Sequence, residues 1–199
     1  MSRKTYFNGV AETWDERYCT PQLVASLKNL VSQFGLKLGQ DVLDVGTGTG
    51  VLIPHLVQAV GQSGSVTAVD YAEKMVRICK SKHAHLANVS VRLHDIQEEG
   101  LPLESFDAVT CFGLFPHLTR KENALRNMNQ ALKPGGILVI AHALSSEEIR
   151  THHANAGSPV VNDTLPEEAE MKRLLKHIGF TEITIQDKHG CYICISTKP

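Results

Sequence analysis

Two aspartates and a run of alternating glycines carry the chemistry that this sequence shows most plainly. Val42-Leu43-Asp44-Val45-Gly46-Thr47-Gly48-Thr49-Gly50 encodes an apolar strand, a bend that only glycine tolerates and the approach to a helix. Glycines at alternate positions let the backbone turn at positive φ and meet a ligand with no Cβ in the way. Asp44 falls at the carboxyl end of that strand, where a carboxylate can accept hydrogen bonds or pair with a cation. It is a poor neighbour for a pyrophosphate and a good one for an amino-acid group, so the run favours S-adenosylmethionine over a nicotinamide dinucleotide. The spacing agrees, being D-x-G-x-G-x-G rather than G-x-G-x-x-G. Asp70 ends a second apolar run, Ser65 to Asp70, and is placed to take both hydroxyls of a ribose, which either cofactor presents.

Histidines form the second chemical set. His117 follows the fourth strand-like run, His142 the fifth, and His152 and His153 sit on the short helix after it. Sites on open parallel sheets lie beyond the carboxyl ends of the strands, which brings His117 and His142 together. His153 shares a helical face with Ile149 that could close over them. We expect His117, His142 and His153 to line an acceptor pocket, either as a polar wall with one base or as ligands of a divalent metal.

Alternating strand and helix patterns from about residue 41 onward must position these groups, an α/β order. The first helix is read from about Thr49 to Val60, the third strand from Val89 to His94 and the fourth from Phe106 to Phe112. Thr119 and Glu122 spell a capping box for a helix with Leu125, Met128 and Leu132 on its apolar face. Lys133-Pro134-Gly135-Gly136 stops that helix before the apolar strand Ile137 to Ala141, whose unbroken hydrophobicity implies a central parallel sheet. Ser145 and Glu148 form another capping box, for a helix reaching about Asn155, and a loop from Ala156 to Pro166 follows. Met171, Leu174, Leu175 and Ile178 mark a last helix stopped by Gly179. Phe180 to Asp187 and Cys191 to Thr197 flank a link too short for a crossover, so they pair antiparallel.

The chain has 199 residues, enough for one ordinary domain with a sizeable core. Its 20 basic and 21 acidic side chains give a net charge of −1, which supplies no pull toward nucleic acid or anionic lipid. No apolar run approaches membrane-spanning length and the N-terminus lacks a signal core, so a cytoplasmic protein with no membrane insertion is expected. Five scattered cysteines suit a reducing compartment. Cys191 and Cys194, three apart on a strand, face opposite sides and make a poor metal or redox pair.

Taken together, these motifs resemble the class I S-adenosylmethionine-dependent methyltransferases, in particular the ubiquinone and menaquinone C-methyltransferase branch. The resemblance rests on residues 42–50, Asp70, His94-Asp95-Ile96, Phe106-Asp107-Ala108-Val109 and Leu132-Lys133-Pro134-Gly135-Gly136. It implies a three-layer Rossmann-like fold with a seven-stranded, mostly parallel sheet, an antiparallel last strand and helices on both faces. One domain over 1–199 would divide into an N-terminal helical cap (1–38), a cofactor-binding core (41–143) and an acceptor side with the hairpin (144–199). The segment Phe7 to Asp15 is similar to the part that covers the cofactor in that branch.

Cofactor contacts implied by the resemblance are Asp44, Gly46, Thr47, Gly48 and Gly50 under the methionine and ribose, and Asp70 on the ribose hydroxyls. Asp95 and Ile96 would hold the adenine edge, Tyr71 and Met75 would pack on its ring, and Cys111 would lie nearby. The cysteine also invites a thiol reading, as in metalloid methylation. Cys111-Phe112-Gly113-Leu114 lacks the Pro-Pro-aromatic signature of base-modifying enzymes, which disfavours nucleic-acid methylation and leaves a small-molecule acceptor. A sensor that binds S-adenosylmethionine without turnover, and a nicotinamide-dependent oxidoreductase, are the alternatives; the second predicts a parallel final strand.

Overall fold

The computed structural model describes every residue except Glu99, Gly157 and Ser158. Two of these fall in the loop read over 156–166, and that part of the expectation lies outside the described residues. The described residues form a seven-stranded sheet in the order β3-β2-β1-β4-β5-β7-β6, with β1 Asp41–Val45, β2 Ser65–Asp70, β3 Val89–Leu93, β4 Phe106–Phe112, β5 Leu132–His142, β6 Thr181–Lys188 and β7 Cys191–Thr197. Strands β1 to β5 pair in parallel, and β7 runs antiparallel to both β5 and β6. The chain order reverses between β1 and β4, the position at which open α/β sheets leave a crevice beyond their strand ends.

Helices cover both faces. On one side α3 (Pro21–Ser32) and α4 (Ile53–Val60) bury Leu27, Leu30, Val31, Leu56 and Val60 against Val42 and Val139. On the other, α6 (Lys121–Ala131) and α8 (Glu168–Ile178) bury Leu125, Met128, Met171 and Leu175 against Val109, Leu138 and Ile140. Cys191 packs with the first set and Cys194 with the second, the two-face alternation that a strand imposes. Helix α5 (Glu73–His83) flanks β2 and β3, and α7 (Ser146–Ala156) follows β5. The N-terminus forms α1 (Arg3–Val10), a 3₁₀ turn and α2 (Trp14–Tyr18).

Three local expectations are corrected. Helix α4 starts at Ile53, not Thr49, because Gly46, Gly48 and Gly50 hold φ of 70°, 57° and 87°, outside the right-handed helical region. Thr119 and Glu122 form no capping box. The amide oxygen of Gln97 instead accepts from Thr119 N, Thr119 Oγ1 and Arg120 N, while Glu122 pairs with Arg126. Lys133 to Gly136 lies within β5 as an irregular stretch, where the register with β4 shifts between Phe106 and Ala108. Ser145 and Glu148 do form a reciprocal box, Glu148 Oε2 accepting from Ser145 N at 2.7 Å and Ser145 Oγ from Glu148 N at 3.2 Å.

Candidate functional site

The glycine turn joins β1 to α4 directly above the end of β2. Gly46 N and Thr47 N both donate to Val69 O, and Gly48 N donates to Asp70 Oδ2 at 2.9 Å. Ala72 N donates to Asp70 Oδ1, so the carboxylate is fixed by amides on both sides. Burial nevertheless pushes Asp70 up to about 6, against the pull of the Ala72 and Gly48 amides. Gly46 has no room for a side chain: a Cβ there would meet Leu114 Cδ2 at 2.5 Å.

Asp44 lies beneath this turn, 1 % exposed, opposite Thr110 in the β1–β4 register. Its Oδ1 accepts from Thr110 Oγ1 at 2.8 Å, while Oδ2 and the neighbouring Thr47 Oγ1 are buried without a hydrogen-bond partner among the described residues. Buried oxygens of this kind are rarely left unpaired. Burial also raises the Asp44 carboxyl above its usual range. An incoming cation or donor at this strand end would answer both features. On that ground the residues present fit the amino-acid end of S-adenosylmethionine.

A crevice runs from the turn along the ends of β1, β2 and β4. Its outer end is lined by Tyr71, Asp95, Ile96 and Leu118, and its inner end by Gly46, Gly48, Met75, Gly113 and Leu114. Asp95 Oδ1 is engaged by Gln97 N at 2.9 Å. Met75 has a second allegiance, packing with Ala11 and Ala72 under the N-terminal helices. Two residues expected at the cofactor lie elsewhere. Gly50 faces α5, where a Cβ would meet His83 Nε2 at 2.5 Å, so this glycine serves close packing. Cys111 is fully buried in the hydrophobic core, and burial raises its thiol pKa, which removes it from the crevice and from thiol chemistry.

The N-terminal segment lies over this crevice. Phe7 and Trp14 line its open side. Phe7 meets the rings of Trp14, Tyr71 and His117 at 5.8, 6.4 and 5.3 Å. Asp15 Oδ1 accepts from Thr49 Oγ1 at 2.5 Å and Asp15 Oδ2 pairs with Lys82. Asn8 bonds Glu73 and the Lys74 amide, clamping the segment to α5.

Beyond Phe7 and Trp14 lies a pocket of about 150 Å³. His117, His142 and His153 all face it, together with His152, Tyr6 and Tyr18. The rings of His117 and His153 stand 4.8 Å apart. His142 Nε2 is buried without a partner; burial, reinforced by His117 and His153, pushes its pKa down to about 3, so the ring is neutral. Asp163 anchors the other two: its Oδ2 bonds His117 Nδ1 at 2.8 Å and its backbone carbonyl bonds His153 Nδ1. Arg3 pairs with the same carboxylate. Asp163 and Arg3 escaped the sequence reading because nothing in the 156–166 loop or the polar N-terminus points to them. Among the described residues, no group of three or more His, Cys, Asp or Glu side chains could hold a metal ion. Asp163 already engages one nitrogen each of His117 and His153.

Residues 42–136 match the family described as methyltransferase domain. The chain has the class I methyltransferase fold. A demethylmenaquinone methyltransferase of Staphylococcus aureus is 41 % identical over 115 residues, covering 56 % of this chain and 46 % of that protein, so the chain spans about half the length of the curated relatives it matches. A structure of a SAM-dependent methyltransferase from Aquifex aeolicus superimposes over all of both chains with a TM-score of 0.73 at 24 % identity. A phosphoethanolamine N-methyltransferase from Haemonchus contortus, solved with S-adenosylhomocysteine, gives 0.79 at 16 % identity over 99 % of this chain and 58 % of that one. These structural likenesses carry the fold. The antiparallel β7 departs from the parallel last strand that the oxidoreductase alternative predicts. No described helix is long and apolar enough to cross a membrane.

Proposed function

We propose that the protein transfers the methyl group of S-adenosylmethionine to a small, uncharged acceptor bearing a hydroxylated ring. The observation that carries this reading is that the crevice and the histidine pocket share four lining residues, Phe7, Trp14, Gly113 and His117. A group held by the glycine turn and Asp70 would therefore lie beside the second pocket. The lining supports an uncharged, planar acceptor, because aromatic and histidine rings dominate it and no Lys, Arg, Asp or Glu lines it among the described residues. The demethylmenaquinone methyltransferase relatives make a quinol ring the first acceptor to test.

When bound, S-adenosylmethionine supplies a methyl group on a sulfonium centre, an electrophile for in-line displacement. The chain's own residues bind, align and exclude water. Asp70 takes the ribose hydroxyls, Asp44 the ammonium of the methionine end, and Asp95 and Ile96 the adenine edge beside Tyr71. Phe7 and Trp14 shield the reacting groups, and neutral His142 offers a hydrogen bond to the acceptor. The test is binding of S-adenosylmethionine by calorimetry followed by turnover of methyl-labelled cofactor against quinols, phenols, thiols and carboxylates. Transfer to a ring hydroxyl or its ring carbon supports the reading; tight binding with no transfer would make the protein a sensor.

A further inference from the structure

We propose that His117 is the general base of the reaction, that the Asp163 carboxylate fixes its tautomer, and that Arg3 makes this arrangement conditional on the N-terminal segment being docked. This rests on the acceptor pocket proposed above. The first ground is geometric. His117 lines both the crevice and the pocket, so its ring stands where the two cavities adjoin. Its Nδ1 lies 2.8 Å from Asp163 Oδ2. The hydrogen bonds from His117 and Arg3 outweigh burial and hold that carboxyl at about 2. An ionised carboxylate only accepts, so Nδ1 carries a proton, and in the neutral ring the lone pair is on Nε2. Asp163 is nearly buried and Arg3 partly so, with side-chain exposures of 4 % and 30 %.

The second ground is that His153 and His142 do not compete for the part. His153 donates from Nδ1 to the Asp163 carbonyl and has no carboxylate behind it. Neutral His142 is too weak a base. Lys121 and Tyr71 also feel the Asp163 charge, but Arg3 is the cation bonded to it. Arg3 belongs to α1, the helix that also carries Phe7 over the crevice. Docking of this helix therefore completes both the cover and the base.

The acceptor O–H bond breaks, its proton passes to His117 Nε2, and its electron pair becomes the nucleophile. A bond forms to the methyl carbon as the carbon–sulfur bond breaks, its pair staying on sulfur. For attack through the conjugated ring carbon, the His117 imidazolium returns its proton to the oxygen and its Nε2 then takes that carbon's proton as aromaticity returns, so one proton in all is released to solvent. Asp163 and Arg3 are positioning residues, Asp163 also stabilising the imidazolium that forms.

The experiment uses the full chain with ¹⁵N-histidine and with 4-nitrophenol as the optical probe, with and without S-adenosylhomocysteine. In the parent protein His117 is expected to show a pyrrole-type Nδ1 and a pyridine-type Nε2, and bound nitrophenol is expected to give the phenolate band below its solution pKa. Asp163→Ala and Arg3→Met should each produce mixed tautomers. Asp163→Asn, which keeps the volume, should weaken the phenolate band at least tenfold, and His117→Gln should abolish it. A protonated Nε2 in the parent protein, an unchanged tautomer in Asp163→Ala, or an equal phenolate band in His117→Gln would overturn the proposal. Failure to bind S-adenosylhomocysteine would instead sink the methyl-transfer reading, since the tautomer can be read without it.

Discussion

Thr49 donates from Oγ1 to Asp15 Oδ1 across 2.5 Å, joining the glycine turn to the helix pair that covers it. The neighbouring Glu12–Arg77 pair is exposed on both sides and of a kind that adds little. Asp15→Asn should therefore weaken S-adenosylmethionine binding about fivefold, roughly 1 kcal/mol, for a partly exposed charged hydrogen bond, chiefly through faster release. Glu12→Gln should leave it unchanged. Stopped-flow fluorescence of Trp14, the chain's single tryptophan, would read both rates.

Asp70 makes cofactor affinity depend on pH. Its carboxyl sits at about 6 because it is buried, and only the ionised form accepts hydrogen bonds from both ribose hydroxyls with all its lone pairs. Affinity should fall as pH drops through about 6, and Asp70→Ala should lose affinity severely while remaining folded. Stability runs the other way. A carboxyl raised above its unfolded value favours the folded state fully below about 4, and that gain is lost as pH rises through about 6. Asp70→Asn cannot ionise, although it also cannot accept from both the Gly48 and Ala72 amides, so it should lose the fall in melting temperature that the parent protein without cofactor shows as pH rises through about 6. Calorimetry against pH checks both signs, and the same fall in Asp70→Asn would contradict the second.

Gly46 and Gly50 should respond differently to alanine. Both hold positive φ, where a side chain costs about 1–2 kcal/mol. The added Cβ at Gly46 would strike Leu114, which lines the crevice, whereas at Gly50 it would strike His83 and Cys79 on α5. Gly50→Ala should lower the melting temperature with little change in affinity for the fraction that folds. Gly46→Ala should lower both. Calorimetry with parallel thermal melts separates the two outcomes.

Thiol reactivity should be nearly silent. Cys79, Cys111, Cys191 and Cys194 are buried and Cys19 is only partly exposed. Burial, together with Asp15, pushes the Cys19 thiol up to about 11, so little thiolate is present at pH 8. A disulfide reagent on the native protein should modify at most one cysteine, slowly, with all five reacting on unfolding. Cys111→Ala should keep the methyl-transfer rate.

The sheet was readable because its strands are short, apolar and bounded by Gly, Pro or acidic residues, down to the limits of β2 and β4. Asp44 and Asp70 were readable because motif spacing ties them to strand ends. The apparent capping box at Thr119 misled because Gln97, distant in sequence, satisfies the same amides. The histidines were findable from topology, since parallel strand ends are neighbours, but their anchor was not. Asp163 lies 46 residues from His117 and 160 from Arg3, and no local period encodes pairing over such separations.

Around the histidine pocket, Gly113 and His117 fall within the stretch matching the methyltransferase family, while Tyr6, Phe7, Trp14, Tyr18 and everything from His142 onward fall outside it. If this pocket takes the acceptor, as proposed, the side chains that meet it stand mostly outside the matched stretch, so closely similar central sequences need not share a substrate.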